Sequence, residues 1–196
     1  MRFNKIPWNI PNILSAYRLV SMPFIVFLVF AGYEKTFIGL FIFNQITDFL
    51  DGFIARKFNM ITVEGAILDS WADLGSYIIA VCGIIKYHTE ILEPHYFPWI
   101  LAYIVVYCIT ILTSLLRYGK VVSGLHLYSS KIVGYILGFF FVVLFLFKFI
   151  PAFYYFSMTF GIFSEIECIA ITLISKEQVI NAKGLYWFLK SRKIIK

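Results

Sequence analysis

Apolar residues gather in six runs, at about 13–32, 36–57, 63–87, 97–117, 130–149 and 151–175, each close to the roughly 20 residues that span a bilayer. Helix punctuation separates them. Pro11 stands near the first start and Gly32 after its end, Pro94 and Pro98 frame the fourth start, and Pro151 divides the last two. The pattern predicts an all-α membrane protein of six transmembrane helices, one membrane domain over 1–175, with a basic tail over 176–196.

Polar residues break the second and third runs at helical spacing. Asp48, Asp51, Gly52, Ala55 and Arg56 fall at i, i+3, i+4, i+7 and i+8, one face of a helix, and Thr62, Gly65, Asp69 and Asp73 repeat the pattern on the next. An antiparallel hairpin turning near Met60 sets Asp51 and Asp69 each nine residues from the turn, and Asp48 and Asp73 twelve and thirteen away. At 1.5 Å per residue the two pairs lie at matched depths of about 13 Å and about 18–20 Å. Each buried charge costs at least roughly 2.5–3.5 kcal/mol at mid-membrane, and Arg56 cannot balance four of them. Two divalent ions would. Oxygen-only ligands favour Mg²⁺, Mn²⁺ or Ca²⁺ over zinc, and Mg²⁺ commonly shares carboxylates with substrate phosphates. Gly52, Ala55 and Gly65 leave room beside the carboxylates for a bulky ligand, and Arg56 reads as a phosphate clamp or as an anchor at the membrane surface.

Composition narrows the class further. The chain is 61% hydrophobic and 14% charged, against about 25% charged in soluble proteins. Its net charge of +6 comes without a basic repeat or an RNA-binding aromatic motif, so nucleic acid is not an expected partner. With both termini cytoplasmic, only Lys35, Lys86 and Lys148 of the 17 Lys and Arg residues fall outside, which is the positive-inside bias. Arg18 interrupts the first apolar run, so that run reads as a retained helix and not a cleaved signal. Cys82, Cys108 and Cys168 stand singly in apolar segments and are expected to pack, not to pair or bind metal. Leu185, Tyr186, Trp187 and Leu189 among the basic residues of the tail suit an interfacial helix on anionic lipid, with a disordered tail equally open.

The spacing Asp48-x2-Asp51-Gly52-x2-Ala55-Arg56-x8-Gly65-x3-Asp69-x3-Asp73 resembles the signature of the CDP-alcohol phosphotransferases. The opening NIPNILSAYRLVSMPF is similar to the first helix of the phosphatidylglycerophosphate and cardiolipin synthase branch. The resemblance implies a homodimeric enzyme of the cell (inner) membrane whose active site faces the cytoplasm. It implies two Mg²⁺ or Mn²⁺ ions on Asp48, Asp51, Asp69 and Asp73, with Asp73 also the general base. It places the CDP moiety against Gly52, Ala55, Arg56 and Gly65, with Thr62 and the Pro11–Asn12 segment as further contacts. The implied reaction moves a phosphatidyl group from CDP-diacylglycerol to an alcohol such as glycerol 3-phosphate, releasing CMP.

One departure bears on the acceptor. The glycerophosphate branch usually reads Leu-Asp-Pro-x-Ala-Asp-Lys where this chain has Leu68-Asp69-Ser70-Trp71-Ala72-Asp73-Leu74, a version closer to phosphatidylserine synthases. Glycerol phosphate, inositol phosphate and serine therefore stay open as acceptors. A reversed pairing, CDP-choline or CDP-ethanolamine with diacylglycerol, uses the same signature. From another class, a cation or proton transporter also carries intramembrane carboxylates, although the two halves show no inverted repeat with broken helices. An anionic acceptor is expected to meet Arg117 and Lys131, with Lys120, His126, Ser129 and Ser130 between or beside them. His88 and His95 read as solvated. Glu165 and Glu167 divide between support of the active site and helix–helix hydrogen bonding.

Overall fold

The computed structural model describes residues 8–119, 127–175 and 184–191. Seven helices follow in order: α1 (Ile10–Phe30), α2 (Glu34–Lys57), α3 (Val63–Tyr87), α4 (Phe97–Tyr118), α5 (Tyr128–Leu146), α6 (Pro151–Ile174) and α7 (Leu185–Ser191), with a short 3-10 turn at Thr89–Leu92. The first six are long and apolar enough to cross a membrane, and no strand occurs among the described residues.

The boundaries have local causes. Asn9 caps α1 by accepting from the Asn12 amide at 3.0 Å, with Pro11 in the first turn where its missing N–H costs nothing. Thr62 caps α3 in the same way through Gly65. Between α2 and α3 the chain reverses at Asn59, which adopts φ 52°, a left-handed conformation that Asn tolerates better than most residues. Gly32 and Gly119 supply positive φ after α1 and α4. Pro98 and Pro151 open α4 and α6.

The helices divide into two compact units that part near residue 90. In the first, α1 packs along both α2 and α3, while α2 and α3 meet over a shorter stretch. Its burial is inverted relative to a soluble helix bundle: Asn12, Ser15 and Arg18 of α1 are buried, and Phe24, Phe27 and Phe30 are exposed. That is the arrangement a hydrocarbon solvent favours, since lipid accepts apolar surface and rejects unpaired polar groups.

The second unit is built around α6, which packs on α4, α5 and α7. Tyr154 lies at its centre, 1% exposed, with its hydroxyl donating to the Tyr96 carbonyl at 2.8 Å and its ring against Tyr96, Phe140 and Phe149. Gly161 lets Tyr103 of α4 approach α6, because a Cβ there would stand 2.8 Å from the ring. Leu185 and Phe188 of α7 pack on Leu127, Cys168 and Ile171, leaving Tyr186 and Trp187 exposed. The cysteines are unpaired, but Cys108 is exposed on α4 and so does not pack as expected, whereas Cys168 does.

Candidate functional site

The polar face of α1 organises the first unit. Asn9, Asn12, Ser15, Arg18 and Ser21 recur every third residue and run down the side that α2 and α3 cover. At the end where α1 and α3 begin, Asn9 donates to the Met60 carbonyl at 3.1 Å and the Asn12 amide lies 3.5 Å from the Thr62 hydroxyl. Gly65 is needed here for close approach: a Cβ would collide with Asn12 Oδ1 and stand 2.7 Å from Thr62 Oγ1. The room that Gly65 leaves is thus taken by Asn12. Gly52 serves Arg56 similarly, with a Cβ position 3.2 Å from the guanidinium, which folds back over the glycine.

One turn deeper, the four aspartates converge on Arg18. Its Nη1 donates to Asp48 Oδ1 and, at 3.1 Å, to Asp73 Oδ1; its Nη2 donates to Asp51 Oδ2 and Asp69 Oδ1, both at 2.6 Å. Ser15 adds a bond to Asp51 Oδ2 at 2.9 Å. Arg18 is 1% exposed and the Asp51 side chain 5%, whereas those of Asp48, Asp69 and Asp73 are 44%, 45% and 47% exposed. The site is therefore a floor of Arg18 and Asp51 under three accessible carboxylates.

The hairpin reading of the sequence had the two aspartate faces meeting directly. They do meet, but around a cation contributed by a third helix, Arg18, which the sequence reading used only as an interruption of the first span. Its signal was present: an arginine at the sixth position of a run of otherwise membrane-compatible length, three residues after a serine and six after an asparagine, marks a polar face and not an end. Ser15 was missed for the same reason.

Oxygen atoms of Asp48, Asp51 and Asp69 lie within 4.8 Å of one another, so the trio can hold a metal ion. The donor set is all carboxylate, which fits a hard divalent cation. Asp73 stands beside this trio, tied to it through Arg18.

In the second unit, Arg117 and Lys131 are both exposed at helix ends. Arg117 Nε donates to the Ser175 carbonyl at 3.1 Å, and Lys131 lies over the Tyr128 ring at 5.6 Å. Ser129 donates to Glu167 at 2.5 Å and Ser130 pairs with Ser164 at 3.2 Å. Lys120 and His126 lie outside the described residues. Glu167 also accepts from the Leu185 amide at 2.7 Å, so it ties α5, α6 and the start of α7 together. Glu165 is buried with Thr110 in hydrogen-bonding reach.

The family model for CDP-alcohol phosphatidyltransferase matches residues 8–176. A CDP-diacylglycerol–glycerol-3-phosphate 3-phosphatidyltransferase of Aquifex aeolicus is 37% identical over 86 residues, covering 44% of this chain and 48% of the relative. One of the same name from Wigglesworthia glossinidia brevipalpis is 38% identical over 82 residues, covering 40% and 45%. A cardiolipin synthase (CMP-forming)/mitochondrial hydrolase fusion protein of Schizosaccharomyces pombe is 39% identical over 66 residues, 34% of this chain and 11% of the relative. The chain thus spans about half the length, or less, of the curated relatives it matches. No solved structure matches it significantly. The family match takes in all six long helices and every signature residue, and the chain belongs to the CDP-alcohol phosphatidyltransferase family.

Proposed function

We propose that this integral membrane protein transfers the phosphatidyl group of CDP-diacylglycerol to an alcohol, glycerol 3-phosphate, releasing CMP. The observation that carries the reading is the convergence of Asp48, Asp51, Asp69 and Asp73, from two helices, into one partly open acidic site. The named relatives support the donor and favour glycerol 3-phosphate over serine despite Ser70. Family membership supports a transferase over a cation transporter.

Asp48, Asp51 and Asp69 would hold Mg²⁺ or Mn²⁺, with Asp73 completing the set for a second ion. Bound there, the ions supply charge neutralisation at the pyrophosphate and stabilise the departing CMP. The protein's own residues do the rest. Asp73, beside the tight trio, accepts the proton of the acceptor hydroxyl as its oxygen bonds to the phosphatidyl phosphorus and the bond from that phosphorus to the pyrophosphate bridging oxygen breaks. The donor's nucleotide would lie at the end of the unit where Asn12, Thr62 and Gly65 gather and where Gly52, Ala55 and Arg56 lie one to two turns from Asp48 and Asp51. Arg56 is exposed there and its guanidinium is free to swing from Gly52 onto a phosphate. Arg117 and Lys131 remain the proposed anionic-acceptor contacts, the former through the guanidinium nitrogens that Ser175 does not engage. The active site faces the cytoplasm in this reading, the membrane is the cell (inner) membrane, and the working form is a homodimer.

The test is CMP release by the purified chain from CDP-diacylglycerol with Mg²⁺ or Mn²⁺, comparing glycerol 3-phosphate, inositol phosphate and serine. Dependence on both glycerol 3-phosphate and metal is expected. Release with serine but not with glycerol 3-phosphate would reassign the acceptor, and no release with any alcohol would remove the transferase reading.

A further inference from the structure

Arg18 presents a problem of charge. Four carboxylates and one guanidinium leave a net charge of −3 (−4 + 1), so Arg18 relieves the repulsion without cancelling it. The guanidinium touches one oxygen of every carboxylate, and Asp48, Asp69 and Asp73 keep nearly half of their side-chain surface accessible to another cation. Its Nε is buried with no hydrogen-bond partner among the described residues. Among the described residues, the four carboxylates are the hydrogen-bond partners of the head group. A divalent ion drawn to the same carboxylates feels that positive charge as repulsion, and takes from the guanidinium the electron density that holds it.

We propose that Arg18 is a resident counter-cation that holds the four aspartates in register when no divalent ion is bound and competes with the ion for them. This deepens the metal-dependent reading above and rests on it. Arg18 is a positioning residue here, with two opposite effects: it preserves the shape of the empty site and it weakens ion binding. With Arg18 in place, one divalent ion brings the site to −1 and a second to +1, a sign that suits an anionic pyrophosphate. Without it the same two ions only reach zero.

The competition separates this role from a merely structural one. Full-length protein in lipid nanodiscs would be titrated with Mn²⁺, following bound ion by electron paramagnetic resonance, and its thermal stability measured with EDTA and with Mn²⁺. Arg18→Gln is expected to bind Mn²⁺ roughly tenfold more tightly, to melt lower than wild type in EDTA, and to gain more stability from Mn²⁺. Arg18→Lys keeps the charge but offers one point in place of a two-pronged fork. It is expected to bind Mn²⁺ roughly threefold more tightly, and it carries the test should the glutamine variant fail to fold. Equal or weaker Mn²⁺ binding in the folded variants, or no Mn²⁺ binding by wild type, overturns the proposal. Neither readout uses substrate, so a protein that shows the competition but releases no CMP sinks the transferase reading and leaves Arg18's role standing. A protein that releases CMP with Arg18 variants unchanged in ion affinity does the reverse.

Discussion

The two units solve the problem of a polar interior in lipid by opposite means. The first places its charged residues at the centre, four aspartates around one arginine, and leaves the site with an excess of negative charge. The second centres on aromatic rings, and its polar groups bond mostly to nearby backbone or side chains, as Tyr154 does with Tyr96 and half-buried Glu167 with Ser129 and the Leu185 amide, although Glu165 keeps one buried oxygen without a partner among the described residues. A site with an excess of negative charge can take a cation; a core of packed rings and short-range hydrogen bonds is built to hold its shape. The lesson is that activity and stability should separate by unit when each is mutated.

The largest effect is expected at the aspartates. Asp69→Asn and Asp73→Asn should each lower CMP release about a thousandfold or more, roughly 4 kcal/mol in barrier terms. Melting in EDTA should stay level or rise, because each change trims the excess negative charge. A variant retaining more than about a tenth of the rate, or one that melts markedly lower, would contradict this division. Tyr154→Ala should show the reverse: a loss of about 3–4 kcal/mol in unfolding measured in bicelles, as for other buried aromatics, with unaltered KM in the molecules that remain folded. A raised KM with normal stability would mean that the aromatic core reaches into catalysis.

Smaller changes probe each unit's finer contacts. Gly65→Ala should cost about 1–3 kcal/mol, since its Cβ meets Asn12 and Thr62 and must displace the start of α1. Donor KM should rise if the nucleotide uses those residues. Glu167→Gln should cost about 1–2 kcal/mol of stability through its bonds to Ser129 and Leu185, with no effect on rate. Gly39→Ala, with nothing within 4 Å of its Cβ position, is the internal control and should be neutral or stabilising by up to about 1 kcal/mol in both measurements.

Much of this protein was determined by its sequence alone. Six spans, their proline and glycine boundaries and the turn near Met60 follow from hydropathy and backbone preference, which are local, and the long helices begin and end within about three residues of the predicted runs. The signature carboxylates were equally plain, because a helix converts spacing of three and four into a shared face and hydrocarbon makes any charge on it costly. What needed tertiary structure was the partner of that face. Spacing along α2 and α3 says that their aspartates can share a face, but not that α1 packs along both helices and sends Arg18 among them, since the choice of neighbour depends on how three helices fill space together. The same limit hid the use of Gly65, whose missing side chain is filled by Asn12 of a distant segment. It also hid the fate of Ser129 and Glu167, which meet only when α5 packs on α6. Arg18 shows the boundary most clearly: its burial and polar spacing could be read along one helix, while its contact with all four aspartates could arise only where three helices converge.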